Sequence, residues 1–379
     1  MPGQYQGDRY TLAQWQYQDS FVDDTLQFQA RLFAGREQYD SILSYGAPSI
    51  LSAVSDWRGA ELRLLSTAVA GHKLMLGLEY QDNPRVKQAV MHPADPASDF
   101  VVVGSGQRTG IYVQDEWHVT DAVTATLGLR VDRNNVTGNQ TSPRAALIWQ
   151  ATPATTLKAL LGRAHRAPNA YERDYADGVS STSNPTLRGE SIDTFEIVAD
   201  HRLTSSLQLR ASAYQWTMRD LITLGTDPAT GLAQYQSGDT VHAKGIELSM
   251  DKTWDCGGRL RGSLSLQNVR YADGAVLLNS PQRLAKLNFS APLAAAGARL
   301  GYELRYDSMR RSADGTELGG YVLSNLKLST DRLAKGLELS LAINNLFDKS
   351  YSQPNSGSGW QNALEQDGRS VRVEVLYRF

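Results

Sequence analysis

One cysteine, Cys256, stands among 379 residues, so no internal disulfide framework supports this chain. Charge of a single sign is also lacking. The 38 basic side chains face 40 acidic ones, and a net charge of −2 gives no field that would steer nucleic acid. No stretch approaches the roughly 18 apolar residues that a membrane helix needs. The six histidines (His72, His92, His118, His165, His201, His242) have no paired spacing suited to a metal. Residues 1–6 hold neither the basic start nor the apolar stretch of an export signal. With 41% hydrophobic residues, intrinsic disorder is excluded. Such absences describe a soluble protein or a membrane β-barrel, because a barrel crosses with strands that carry no long apolar run.

What is present is alternation. Val371, Val373, Val375, Tyr377 and Phe379 fall on one face of a strand, with Arg372, Glu374 and Arg378 on the other. Leu337, Leu339, Leu341 and Ile343 repeat the pattern, as do Leu300, Tyr302, Leu304 and Tyr306, and Leu74, Leu76, Leu78 and Tyr80. A period of two means strands with one apolar and one polar face. A soluble sandwich alternates too, but its strands usually run about 5 to 6 residues, whereas these run on the order of 10 to 14. Aromatic residues near strand ends (Tyr80, Trp117, Trp149, Trp216, Trp254, Tyr306, Tyr377) suit the interfacial girdles of a barrel.

Connection lengths alternate as well. Short links are expected at 19–24, 70–72, 120–122, 152–154, 204–206, 255–258 and 333–336, and long ones at about 38–55, 81–108, 168–189, 223–240 and 352–367. Short turns at one end and long loops at the other describe an outer-membrane barrel. The expected fold is therefore all-β, a transmembrane antiparallel up-and-down β-barrel of about 17 strands. That number is odd, where bacterial single-chain barrels are even. Together with the absent export signal, this leads us to expect a strand missing before residue 1 and a chain that is part of something longer.

The motifs fall in a telling order. The segment Arg166-Ala167-Pro168, followed by Asn169 and Glu172, resembles the Phe-Arg-Ala-Pro segment of TonB-dependent outer-membrane receptors. Asn184-Pro185-Thr186-Leu187-Arg188-Gly189-Glu190 resembles their Asn-Pro-Asx-Leu-x-x-Glu motif. Gly245 and Glu247, then Asn344-Asn345-Leu346-Phe347-Asp348, then the terminal Phe379, continue the resemblance over roughly residues 160–379. The chain departs from the family in His165, where an aromatic is usual, and in Arg188-Gly189, where Lys-Pro is usual.

The resemblance implies a 22-stranded barrel, of which residues 1–379 would be the C-terminal part, with plug domain and signal peptide missing. It also implies outer-membrane lipid as surroundings and an inner-membrane TonB energy-coupling complex as partner through that missing plug. Energy-dependent uptake of a small-molecule metal chelate would be the function, with Phe379 as an assembly signal. The family is not enzymatic, and no cofactor, resident metal or nucleic acid is expected.

Ligand contacts would lie in the long connections. Tyr171, Arg173 and Tyr175 lie between the two best motifs, and Tyr235, Arg310, Arg311 and Trp360 lie in others. Aromatic and arginine side chains suit an anionic iron chelate, through stacking and charge-assisted bonds. Haem receptors of the family place a histidine between the two motifs, and none occurs from 166 to 184. A ferric siderophore is the first expectation and cobalamin the second. The charges Arg130, Asp132, Glu196, Asp200, Arg210, Glu247, Glu303, Arg305, Arg372 and Glu374 share the polar face, where mixed signs mean mutual compensation. The rival readings are a passive porin of about 16 strands and a soluble secreted β-protein acting on glycans.

Overall fold

The computed structural model describes residues 4–45, 47–177, 179–294, 297–355 and 361–379, including every side chain except those of Ser44 and Tyr45. The strands are β1 Tyr5–Phe21, β2 Leu26–Tyr45, β3 Ala47–Ser66, β4 His72–Met91, β5 Phe100–Thr120, β6 Val123–Asn134 and β7 Gly138–Thr152. They continue with β8 Thr155–Arg166, β9 Glu190–Thr204, β10 Leu207–Thr226, β11 Ala233–Thr253, β12 Arg259–Tyr271, β13 Arg283–Leu293 and β14 Ala298–Asp307. Last come β15 Arg310–Arg311, β16 Glu317–Leu318, β17 Tyr321–Ala334, β18 Leu337–Asn344, β19 Ser352–Pro354, β20 Ala363–Glu365 and β21 Ser370–Tyr377. Among the described residues one α-helix, α1 Ala170–Asp174, and a 3-10 turn at Pro96–Ser98 interrupt them. Seventeen strands share one sheet, while β15–β16 and β19–β20 form two small ribbons. No described helix is long and apolar enough to cross a membrane.

The chain divides into two compact units. The first comprises residues 1–147, 160–194 and 217–240. Within it, β1 to β6 pair antiparallel in sequence order. The register brings Leu62 opposite Leu78, Leu78 opposite Ile111 and Ile111 opposite Val131. Leu64, Leu76, Val113 and Leu129 make a second such row. These side chains are 37–54% exposed. Water would penalise a continuous exposed apolar band of this kind, whereas lipid would not. On the other face the glycines leave room for rings: a Cβ at Gly77 would fall 2.0 Å from the Tyr112 ring, so only glycine admits that tyrosine.

The second unit comprises residues 148–159, 195–216 and 241–379. Here β11, β12, β13, β14, β17, β18 and β21 pair antiparallel in turn. β18 aligns Leu339 with Val375 and Leu341 with Val373, as the alternation predicts. Gly336 closes the β17–β18 turn at φ +78°, and a Cβ there would meet the Arg378 carbonyl at 2.2 Å.

The short links stand where the sequence places them, between β1 and β2, β3 and β4, β5 and β6, β7 and β8, β9 and β10, β11 and β12, and β17 and β18. Three of the long ones shrink. Residues 38–55 are not a loop, because β2 and β3 pair up to Tyr45 opposite Ala47. Residues 81–108 reduce to the link 92–99, since β4 runs to Met91 and β5 starts at Phe100. Pro84, which cannot donate to a ladder, sits within the register shift between Asn83 and Val86, so the strand continues past it. Residues 223–240 reduce to the link between β10 and β11. In all three, polar and small residues imitate a loop while the backbone keeps pairing.

Candidate ligand-binding site

In the first unit the polar face is knitted by ion pairs. Arg130 donates to Glu79 at 2.6 Å and to both oxygens of Asp132 at 2.6 and 2.7 Å, and it lies 5.5 Å from the Tyr112 ring centre. His165 Nδ1 is 3.0 Å from the Ser142 hydroxyl. In the second unit Asp200 accepts from Arg210 at 2.6 Å and from Lys158 at 2.9 Å. Charges of opposite sign are neighbours on this face, which is compensation rather than a field of one sign.

The connection from 167 to 189 is the most elaborate feature of the first unit. Arg166, the last residue of β8, donates to Glu190, the first of β9, at 2.7 Å and to Glu172 at 2.8 Å. Glu172 also closes the start of α1. The Asn169 side chain accepts the Glu172 N–H at 2.8 Å, and Glu172 accepts the Asn169 N–H at 2.9 Å. This is a capping box. Pro168 is buried and Ala167 half-buried between these anchors. Asn184 donates its side-chain N–H to the Tyr235 carbonyl at 2.8 Å and its backbone N–H to the Arg173 carbonyl at 2.9 Å. Pro185 follows it, and Leu187 is 4% exposed beneath. The connection is further strapped to the start of β11, since Ala233 donates to Ser180 at 3.0 Å and Thr182 to Ala233 at 2.9 Å.

These anchors gather aromatic rings. The Tyr171 and Tyr175 centroids are 4.7 Å apart, Tyr171 and Tyr235 are 6.1 Å apart edge-to-face, and Phe100 meets Tyr175 edge-on at 5.6 Å. Burial pushes the Tyr175 hydroxyl up to about 12, and it pushes Tyr171 the same way. Both hydroxyls are therefore neutral donors at neutral pH. Arg173 is not free: it holds Asp174 through two bonds of 2.7 and 2.9 Å. Asp177 accepts the N–H groups of Val179, Ser180 and Ser181. Burial pushes the Asp177 carboxyl up, but those bonds and one from the Ser180 hydroxyl outweigh it, so it titrates below the usual range. Tyr171, Arg173, Tyr175 and Tyr235 thus come together, and the structure adds Phe100. The Asn-x-x-Glu pattern at 169–172 signals the capped start of α1, while nothing local in the sequence signals that Phe100 and Tyr235 meet its tyrosines.

Arg310 and Arg311 belong to the second unit. Arg310 is bonded to Asp307, which is 0% exposed and also accepts from Arg305 at 2.7 and 3.0 Å and from the Tyr321 hydroxyl at 2.9 Å. Arg311 pairs with Glu317 at 2.8 Å. Trp360 lies outside the described residues. Among the remaining motif residues, Gly245 lets β11 approach Tyr214 and the Leu266 carbonyl, which a Cβ would meet at 2.6 and 2.9 Å. Glu247 accepts from Ser265 at 3.3 Å.

Asn345, at φ +49° and 5% exposed, donates its N–H to Asn325 at 2.8 Å, donates its side chain to the Lys349 carbonyl at 2.9 Å and accepts the Lys349 N–H at 2.8 Å. Asn344 donates to Ser370 at 3.3 Å, the Leu346 N–H donates to the Ser324 carbonyl at 2.7 Å, and Asp348 accepts the Arg369 N–H at 2.7 Å. Phe347 and Phe379 are exposed. Most of the motif is therefore a framework that turns the chain between strands.

Long paired strands, an exposed apolar face and a compensated polar face define an outer-membrane β-barrel sequence. The family described as TonB dependent receptor-like, beta-barrel, matches residues 2–346, and the chain belongs to it. It is an outer-membrane protein of the Gram-negative type, and the names of its relatives include transporters and receptors and no enzyme.

Among those relatives is the iron-regulated outer membrane virulence protein of Vibrio cholerae, 27% identical over 123 residues, which are 31% of this chain and 19% of that protein. The vitamin B12 transporter BtuB of Vibrio cholerae is 26% identical over 238 residues, 60% of this chain and 36% of that one. The ferrioxamine B receptor of Salmonella typhimurium is 23% identical over 342 residues, 76% of this chain and 45% of that one. Among solved structures, the copper transporter OprC superposes with a TM-score of 0.78 at 17% identity, covering 98% of this chain and 65% of that one. The chain thus spans less than half the length of these three relatives.

Proposed function

We propose that residues 1–379 are the C-terminal barrel portion of an energy-coupled outer-membrane receptor that imports a scarce metal chelate, a ferric siderophore first of all. The reading is carried by the cluster of Phe100, Tyr171, Tyr175 and Tyr235, held on a doubly anchored connection beyond the apolar band. Neutral phenols and clustered, mutually tilted rings offer a chelate both a π-surface and donors for its anionic oxygens. Arg173, already neutralised by Asp174, orients the rim and supplies no free charge. Capture there would precede displacement of a plug driven by the TonB complex of the inner membrane.

Fluorescence titration of the purified protein with ferric siderophores and with cyanocobalamin tests this. A ferric chelate should quench saturably, and the Tyr171→Ala/Tyr175→Ala double variant should bind roughly 10- to 100-fold more weakly, from the loss of two ring contacts. Saturation by cobalamin with no response to ferric chelates would make the second expectation the right one. No response to either would remove the site.

A further inference from the structure

The apolar face of the first unit is not smooth. Pro143 and Ala145 on β7 stand between the larger Leu127 and Leu129 of β6 and Leu161 of β8, and a groove of about 770 Å³ opens there. Val113 continues its wall, and Leu127, Val113 and Leu161 are 50–61% exposed to it. One end of the groove changes character. Arg163, two residues beyond Leu161 along β8, and Asp193 of β9 line it. Asp193 accepts two bonds from Arg163, at 2.6 and 3.1 Å, and another from Arg219. Two guanidinium groups thus share one carboxylate, leaving one positive charge at the head of an apolar slot. Both arginines are about half exposed and keep donors unused by Asp193. β8 runs towards the long-connection end, so the cationic head lies towards the outer side of the apolar band.

We infer that this groove is a lipid site, taking one acyl chain along Leu129, Ala145 and Leu161 and a phosphate headgroup on Arg163 and Arg219. The groove faces lipid in a barrel of this family, so an acyl chain is the occupant available to it along its whole length. A bilayer chain filling a furrow between larger side chains gains dispersion contacts that a bulk chain over a flat wall lacks. The arginine pair supplies the complement to an anionic head, because a guanidinium matches phosphate oxygens in a planar fork. Asp193 holds the two arginines side by side so that their mutual repulsion does not splay them.

The test uses the protein purified from outer membranes of producing cells and placed in phosphatidylcholine nanodiscs with or without 10 mol% phosphatidic acid. Lipid retained per protein is then read by native mass spectrometry. The wild type should retain one phosphatidic acid. Arg163→Gln/Asp193→Asn/Arg219→Gln, which removes the head without leaving an orphan carboxylate, should weaken retention roughly fivefold, for the one net positive charge lost. Ala145→Trp, which fills the slot and leaves the charges alone, should abolish retention, so a folding defect in one variant leaves the other decisive. Unchanged retention in either folded variant would overturn the site. Equal retention of uncharged diacylglycerol, or displacement by millimolar inorganic phosphate, would also overturn it, because each removes the need for head and chain together.

Discussion

Arg166 and Glu190 are joined at 2.7 Å across the whole of the 167–189 connection, and the same guanidinium holds Glu172 at 2.8 Å. Two motifs separated by a long stretch of sequence are thereby one structural joint. A single side chain at the end of β8 clamps the start of β9 and the cap of α1, and the aromatic cluster hangs from that clamp.

Removing the clamp should loosen the connection and spare the sheet. Arg166→Gln leaves Glu190 and Glu172 without their shared cation. The joint should lose about 1 to 2 kcal/mol, discounted for the partly exposed arginine. Limited proteolysis would read this as faster cutting within 169–189 while the β1–β6 fragments stay protected. Unchanged cutting would show that the capping box alone holds the segment.

Acid should release the same joint. Burial pushes the Glu190 carboxyl up, but the bonds from Arg166 and from the Ile222 N–H outweigh it and hold it below its usual range. A carboxylate whose folded pKa is depressed stabilises the fold above the unfolded value and loses that contribution as pH falls through the folded one. Asp177 is held down in the same sense. Hydrogen exchange of residues 169–190 should therefore be flat from pH 7 to about 5, after correction for intrinsic rates, and then speed up below pH 4. Loosening that begins above pH 6 would implicate other groups.

Asn345 offers a sharper test of the C-terminal motif. It is nearly buried, sits at positive φ, and its side chain both donates to and accepts from Lys349. Asn345→Ala removes those bonds in a left-handed conformation that alanine resists, and should cost about 2 to 3 kcal/mol. Asn344→Ala, whose partner Ser370 is 3.3 Å away and exposed, should cost less than about 1 kcal/mol. Denaturant unfolding of the two variants would rank them, and the reverse order would refute the assignment of roles.

Gly245 should tolerate nothing larger. An alanine Cβ would lie 2.6 Å from the Tyr214 hydroxyl and 2.9 Å from the Leu266 carbonyl, one of which is backbone and cannot swing aside. Gly245→Ala should lower the heat-modifiable folded fraction on electrophoresis, and adding Tyr214→Ala should restore only part of it. Full tolerance of Gly245→Ala would mean that β11 and β12 can separate there.

Strand identity, strand number and the short turns were legible because alternation with a period of two is a local signal that leucine and valine broadcast directly. The long connections were less so. Residues 38–55 and 81–108 contain serine, aspartate and Pro84, which speak for loops. The strands nevertheless keep pairing through them, and a bulge absorbs the proline. The sequence places Tyr171 and Tyr175 together in one connection and Tyr235 in another. That Tyr235 would join the others could not be read, because it depends on Asn184 reaching the Tyr235 carbonyl across 51 residues. Arg310 was read for its charge, while its tie to Asp307 depends on a turn that returns Arg310 to the end of β14.

Alternate residues of these strands face lipid and a polar interior. Spin labels placed one at a time at residues 127–132 of β6, in a Cys256→Ser background, would read that alternation. Oxygen should reach labels at Leu127, Leu129 and Val131, while a water-soluble nickel chelate should be excluded from them. Labels at Gly128, Arg130 and Asp132 should show the opposite, giving an oscillation with a period of two. Equal access of the nickel chelate to all six positions would place β6 in water and contradict the barrel.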